Sequence, residues 1–243
     1  MEKRKHRAVV TTSWDDGHPM DVRLAELLST LNLRGTFYVP IDYEAQPRMS
    51  CAEMRALRSM EMEIGSHTVT HPRLTRVSDQ VAVREFSESK ETLEQMLGEP
   101  VRSFCFPEGK FARRFEPFLR AAGYHLARTT VAFRTDSNFD PYAMPVTFQL
   151  WPHSRQIIAR HALKEGNLLG LSNWARLWRG RTDLPALAES IVEHIHQTGG
   201  ILHIWGHSWE IEQAGLWPLL HEVMTRVANR PGVEYLTNRQ ILQ

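Results

Sequence analysis

The sequence predicts an α/β protein folded as a closed or nearly closed β/α barrel, and three observations carry that prediction. Short β-branched or aromatic segments alternate with helix-patterned ones along the chain, which implies a parallel sheet with covered faces. The 243 residues, 42% of them hydrophobic, suffice for a large core and suit one barrel-sized domain spanning 1–243. Seven or eight strand–helix units follow one another without an obvious linker, internal repeat or low-complexity segment.

The elements follow in order. Ala8 to Trp14 reads as a short buried strand, ending at the turn signal Asp15-Asp16-Gly17. Asp21 to Leu31 places Leu24, Leu27, Leu28 and Leu31 at helical spacing. Gly35 to Val39 is a second strand, stopped by Pro40. Ser50 with Glu53 fits a capping box for a helix to about Ser59, and Glu63 to Ser66 is a strand leading into His67. Ser78 caps a long helix ending near Leu97-Gly98, followed by a strand over Ser103 to Phe106 and the loop Pro107-Glu108-Gly109. Phe115 to Ala122 is helical with Gly123 as its stop, and Tyr124 to Ala127 is another strand. Thr129 to Gly180 is the least readable stretch, with a strand expected near Ala143 to Phe148 and a helix near Ser172 to Arg179. Asp183 caps a helix to about His196. Ile201 to Trp205 is a strand, Trp217 to Ala228 a helix and Val233 to Tyr235 the last strand.

Composition narrows the function classes. Lys and Arg number 29 against 28 Asp and Glu, and the cluster Lys3-Arg4-Lys5 with Arg7 reads as a solvated terminus, so no nucleic-acid partner is expected. Cys51 and Cys105 form no CxxC pair, which excludes a thiolate zinc finger and leaves free thiols as the expectation. The first residues lack the apolar stretch of a secretory signal and no run of about 20 apolar residues exists. No membrane partner is therefore expected, and the expected location is the cytoplasm.

In β/α barrels, chemistry sits at the C-terminal ends of the strands. Asp15 and Asp16 directly follow the first strand, where adjacent carboxylates need different partners; the plainer reading is a turn or helix cap. His67 and His71 follow the third strand at a spacing of four, close enough to reach one cation, with Pro72 arguing for a loop or single turn. Two independent histidines are the alternative. One oxygen and two nitrogens from Asp16, His67 and His71 would make a three-ligand catalytic site with an open position for water. Asp15 is then placed to act as general base. His203 and His207 share one face of a strand; His207, beyond the strand end, is favoured as the acid, with His203 as a core histidine.

These residues resemble the motifs of the polysaccharide deacetylase family, the NodB homology domain of carbohydrate esterase family 4. Ser13-Trp14-Asp15-Asp16-Gly17 is similar to TFDDG, Gly65 to His71 contains H-S/T-x-x-H, Pro107-Glu108-Gly109 resembles the tail of R-x-P-x-G, and Ile201 to Ser208 resembles a strand ending in a catalytic histidine. The resemblance runs from about residue 8 to 210. It implies a distorted (β/α) barrel of about seven parallel strands and a divalent metal, usually zinc, held by Asp16, His67 and His71. It further implies Asp15 as base, His207 as acid and the backbone N–H of Glu108 as an oxyanion donor. The implied reaction is hydrolysis of the N-acetyl amide of an amino sugar or an oligo- or polysaccharide, with a small soluble saccharide as the expected substrate. The alternatives are a hydrolase of a non-sugar carbon–nitrogen bond, such as an amide or cyclic imide, and an inactive carbohydrate-binding relative. Two departures stand out. The third-motif arginine aligns with Cys105, with Arg102 and Arg128 as nearby substitutes, Arg128 following a strand; and no D-x-x-D-W motif is evident. Of Trp151, Trp174, Trp178, Trp205 and Trp209, the pair flanking His207 (Trp205 and Trp209) is best placed to stack on a sugar, though tryptophans also fill cores.

Overall fold

Strand β1 (Ala8–Asp15) is buried along its whole length, which explains its continuous β-branched character in place of an alternating pattern. The structure is a computed structural model describing residues 7–243, so Lys3-Arg4-Lys5 lie outside the described residues. On one side β1 pairs in parallel with β7 (Gly200–Gly206) from Ala8 to Trp14. On the other its first half pairs with β8 (Val233–Tyr235) and its second half with β2 (Gly35–Val39). From β2 the sheet continues through β3 (Glu63–Ser66) and β4 (Ser103–Cys105) to β5 (Leu126–Arg128), all parallel.

The sheet curls until its two edges are linked by one short stretch. Met144 bridges to Arg128 of β5, and β6 (Phe148–Gln149) pairs with β7. The strand expected near Ala143 to Phe148 is thus split into two contacts with opposite edges. Pro145 lies between them and has no N–H to carry a ladder onward. The result is the distorted barrel, with all strands ending at one mouth.

The helices cover its outside. Ser50 and Glu53 form the capping box of α2 (Cys51–Ser59), Ser78 accepts from Val81 N–H at the start of α3 (Asp79–Leu97), and Asp183 accepts from Ala186 N–H at α7 (Leu184–Thr198). Left-handed Gly98 and Gly123 stop α3 and α4 (Glu116–Ala122). α1 (Asp21–Thr30) and α9 (Trp217–Val227) match their expected spans. Under α3 and α4, Phe104 meets Phe86, Phe106 and Tyr124 edge-on or tilted at 5.1–5.3 Å, filling the space outside β4.

Three helices depart from expectation. α5 (Arg155–Lys164) was not signalled, because only Ala162 on it is buried and its apolar Ile157 and Leu163 face outward. α6 (Leu168–Arg176) starts four residues before the expected Ser172, since Asn167 accepts from Gly170 N–H at 2.9 Å and caps it there. The six-residue α8 (Ser208–Gln213) begins directly after His207. Both cysteines are free thiols. Among the described residues, no helix is long and apolar enough to cross a membrane.

Candidate active site

Asp15 ends β1, and Asp16 follows it in the left-handed region at φ 77°. That turn sends the adjacent carboxylates to different partners, which like charges at this separation require. Asp16 Oδ1 lies 3.4 Å from His71 Nε2 and 3.7 Å from His67 Nε2, and the two imidazole nitrogens are 3.2 Å apart.

The two histidines sit on a loop, as Pro72 foretold. Thr68 (φ 72°) and His71 (φ 56°) are both left-handed, and His71 N–H donates to Thr68 Oγ1 at 3.0 Å. Glu85 of α3 pins this loop: its carboxylate accepts from Val69 N–H at 2.6 Å, Thr70 N–H at 3.0 Å and the Thr70 hydroxyl at 2.8 Å. His67 Nδ1 donates to the Cys105 carbonyl at 2.8 Å, which leaves the Nε2 lone pair facing the site. Burial pushes the His67 imidazole down to about 4, outweighing the pull of Asp15 and Asp16 toward protonation. His71 stacks on Tyr43 at 4.3 Å. Trp209 Nε1 donates to Asp16 Oδ2 at 2.9 Å, which fixes the carboxylate with Oδ1 toward the imidazoles. Two imidazole nitrogens and a carboxylate oxygen thus converge within 4.8 Å of one another, and the His67 Nε2 lone pair is free to coordinate. The donor set therefore fits a divalent metal.

Asp15 faces Arg128, whose Nη2 donates to Asp15 Oδ1 in a fully buried ion pair. The Cys105 thiol lies 3.8 Å from Asp15 Oδ2. Burial alone would raise the Asp15 carboxyl, but Arg128, His67 and His207 outweigh it and hold the group below the usual carboxylate range. The Arg128 guanidinium lies over the rings of Trp205 and Tyr38 at 5.0 and 5.4 Å, and among the described residues its Nε and Nη1 have no hydrogen-bond partner. Arg128 thus reaches the first-motif carboxylate from β5. Arg102 lies elsewhere, lining a separate hollow with His125 and Arg239.

His203 is a core residue, bonded to Ser13 Oγ at 2.8 Å and the Pro145 carbonyl at 3.1 Å, and burial followed by the Arg128 charge pushes its imidazole down to about 3. His207 lies in the site, its Nε2 3.8 Å from Asp16 Oδ2. Its Nδ1 meets Glu210 Oε2 at 2.7 Å, and Glu210 also accepts from Gln149 Nε2 at 3.3 Å. Burial would lower the His207 imidazole, but the Glu210 bond and the Asp15 and Asp16 charges raise it overall. With Nδ1 committed to Glu210, Nε2 is the atom left to exchange a proton.

Glu108 occupies a left-handed turn (φ 55°), and its carboxylate is drawn aside to Arg73. A Cβ on the next residue, Gly109, would lie 2.0 Å from Thr130 Oγ1, so only glycine lets this loop close on β5's exit. Asp15, Asp16, His67, His71, Glu108, Trp205, His207 and Trp209 all line one cavity of about 390 Å³. Trp151 also lines it, whereas Trp174 and Trp178 are buried in the core. Trp205 and Trp209 are thus tied to Arg128 and Asp16 as well as facing the cavity, a second task beyond the stacking expected of them. Glu210 and Glu85 are the groups the sequence did not reveal. A glutamate three positions after His207 was the available signal for Glu210.

Comparison with known proteins places the fold. A protein from Mycobacterium smegmatis described as a polysaccharide deacetylase superimposes with a TM-score of 0.67 at 14% identity, covering 99% of this chain and 91% of that one. A family 4 carbohydrate esterase from Streptomyces lividans in complex with acetate matches with a TM-score of 0.55 at 17% identity, over 94% and 91%. A Streptococcus pyogenes deacetylase, also in complex with acetate, matches at 0.52 and 19% identity; the match covers 56% of this chain and spans 62% of that protein's length. At these identities the structural matches establish the fold. No curated protein matches the sequence. Residues 2–127, just over half of the chain and including both the carboxylate pair and the two histidines, match the polysaccharide deacetylase family, and the chain belongs to that family.

Proposed function

We propose that the protein is a metal-dependent hydrolase that removes the N-acetyl group from an amino sugar or an oligo- or polysaccharide. One observation carries this reading: Asp15, held by Arg128, and His207, held by Glu210, both border a cavity that also receives Asp16, His67 and His71. A divalent cation held by those three residues, with zinc suited to one oxygen and two nitrogen donors, supplies polarisation of the amide carbonyl and acidification of water.

The chain's own groups do the rest. Ionised Asp15 takes a proton from the water whose oxygen adds to the acetamide carbon. The Glu108 backbone N–H donates to the charge developing on the carbonyl oxygen. His207 Nε2 gives its proton to the amide nitrogen as the C–N bond breaks, so acetate and a free amine leave. Arg128 keeps Asp15 ionised and aimed; Glu210 keeps His207 in the orientation and protonation state of a donor.

Metal content of the purified protein, followed by acetate release from a panel of N-acetyl sugars, tests the reading. Bound divalent metal with acetate release is expected. Ammonia or a ring-opened product from non-sugar amides or imides, without acetate from any sugar, would move the reaction to that other class. Binding of saccharides without product would leave an inactive relative.

Two further results are expected. Arg128→Ala should lower kcat by about 10²-fold and cost roughly 3–5 kcal/mol of stability, because it strands a buried carboxylate. Steady-state kinetics and denaturant unfolding check both, and unchanged turnover would remove Arg128 from the site. Glu210→Gln should lower kcat by about tenfold with little change in KM, since Glu210 does not line the cavity. Unaltered kcat would show that His207 needs no carboxylate partner.

A further inference from the structure

The cavity that holds the Asp16–His67–His71 triad is also lined by residues of β6, α5 and the start of α7, the part called its arm below. Six of its lining side chains there are apolar, Phe133, Phe148, Trp151, Ile158, Leu184 and Leu187, set among polar ones that include His161, Glu165 and Thr182. All six lie beyond residue 127, outside the stretch that matches the family.

The backbone holds this wall in place at a cost. Phe133 adopts φ 56°, a conformation a bulky aromatic residue rarely takes, and such strain persists only where the surroundings impose it. Phe133 N–H donates to the Thr147 carbonyl at 2.8 Å, Asn173 Nδ2 to the Phe133 carbonyl at 3.1 Å, and Asn167 Nδ2 to the Ala132 carbonyl at 2.7 Å. The Phe133 ring rests against Trp174 and Trp178 at 5.9 and 6.2 Å. Three hydrogen bonds and two indoles thus keep a phenyl ring on the cavity wall.

Several polar groups of the same wall have partners within the protein. Arg181 donates to Ser190, Glu165 accepts from Thr130, and His153 meets Gln149. Sugar hydroxyls pressed against the six carbon side chains would lose water and gain no partner, whereas each methylene buried there is worth about fourfold in binding.

We propose that this arm takes an apolar alkyl or aryl group of the substrate, so that the ligand is a small N-acylated amino sugar carrying a hydrophobic substituent. The substituent sits on the acyl side or on the glycosidic side, and the test separates the two. The inference rests on the deacetylase reading above.

Three probes are compared on the metal-loaded protein below their micelle concentrations: N-acetylglucosamine, its octyl β-glycoside, and N-octanoylglucosamine. Binding is measured by calorimetry and amine release by kinetics. At least one octyl compound should bind tenfold or more tighter than N-acetylglucosamine and show a correspondingly higher kcat/KM; which one does so names the side. Ile158→Glu, at a half-buried position on α5, should shrink that preference to less than threefold. Equal or weaker binding of both octyl compounds overturns the inference even if N-acetylglucosamine is hydrolysed. A preference that survives in Ile158→Glu overturns it too. Tight octyl binding lost in Ile158→Glu, with no amine released from any probe, supports the arm and sinks the deacetylase reading instead.

Discussion

Asp15→Asn should lower kcat by about 10²–10⁴-fold, the usual contribution of a positioned general base, while leaving metal stoichiometry intact. The amide is nearly isosteric with the carboxylate, so the pocket's shape survives. Its oxygen still accepts from Arg128, but it cannot take a proton from water at neutral pH. Metal should stay because Asp16, His67 and His71 are untouched and Trp209 still orients Asp16. Some stability should be lost, since the buried Arg128 charge no longer faces an ionised partner. Acetate release alongside metal analysis of the same preparation checks the pair of outcomes. A fully active Asp15→Asn protein would take the base role away from this residue.

His67→Ala should abolish activity and metal binding together. Its ring supplies one of three donors, and its Nδ1 bond to the Cys105 carbonyl ties the triad to the end of β4. The loss is also visible without a substrate. A cation that binds the folded state alone stabilises it by about 2.7 kcal/mol at a hundredfold excess over Kd. The wild-type protein should therefore melt higher with zinc and fall back with a chelator, while the variant stays unresponsive. Wild-type metal stoichiometry in the variant would show that the cation sits elsewhere.

The first half of the site was legible because its residues obey strand-end placement. Asp15 ends a strand, Asp16 and His67 directly follow strands, and Pro72 marked the histidine pair as a loop. Arg128 was legible only as one of two arginines, since nothing in a linear pattern shows that β5's last side chain points across the barrel mouth to β1. Glu210 escaped notice because α8 is six residues long and lacks an apolar stripe. The arm of the cavity escaped for a related reason. Ile157 and Leu163 on α5 and Leu168 and Leu169 on α6 are turned to the exterior, so the core-facing periodicity that reveals helices is missing there. The closing strand was misjudged because hydropathy does not register that Met144 pairs with one edge of the sheet while Thr147 and Phe148 pair with the other.

The six positions from Trp205 to Glu210, crossing from the end of β7 into α8, touch Arg128 and Asp16 and carry His207 with its glutamate partner. These groups are thereby geared together: a shift of this one stretch of backbone would detune all three simultaneously. Substitutions scattered along it should behave as injuries to a single device, each revealing little of what another adds.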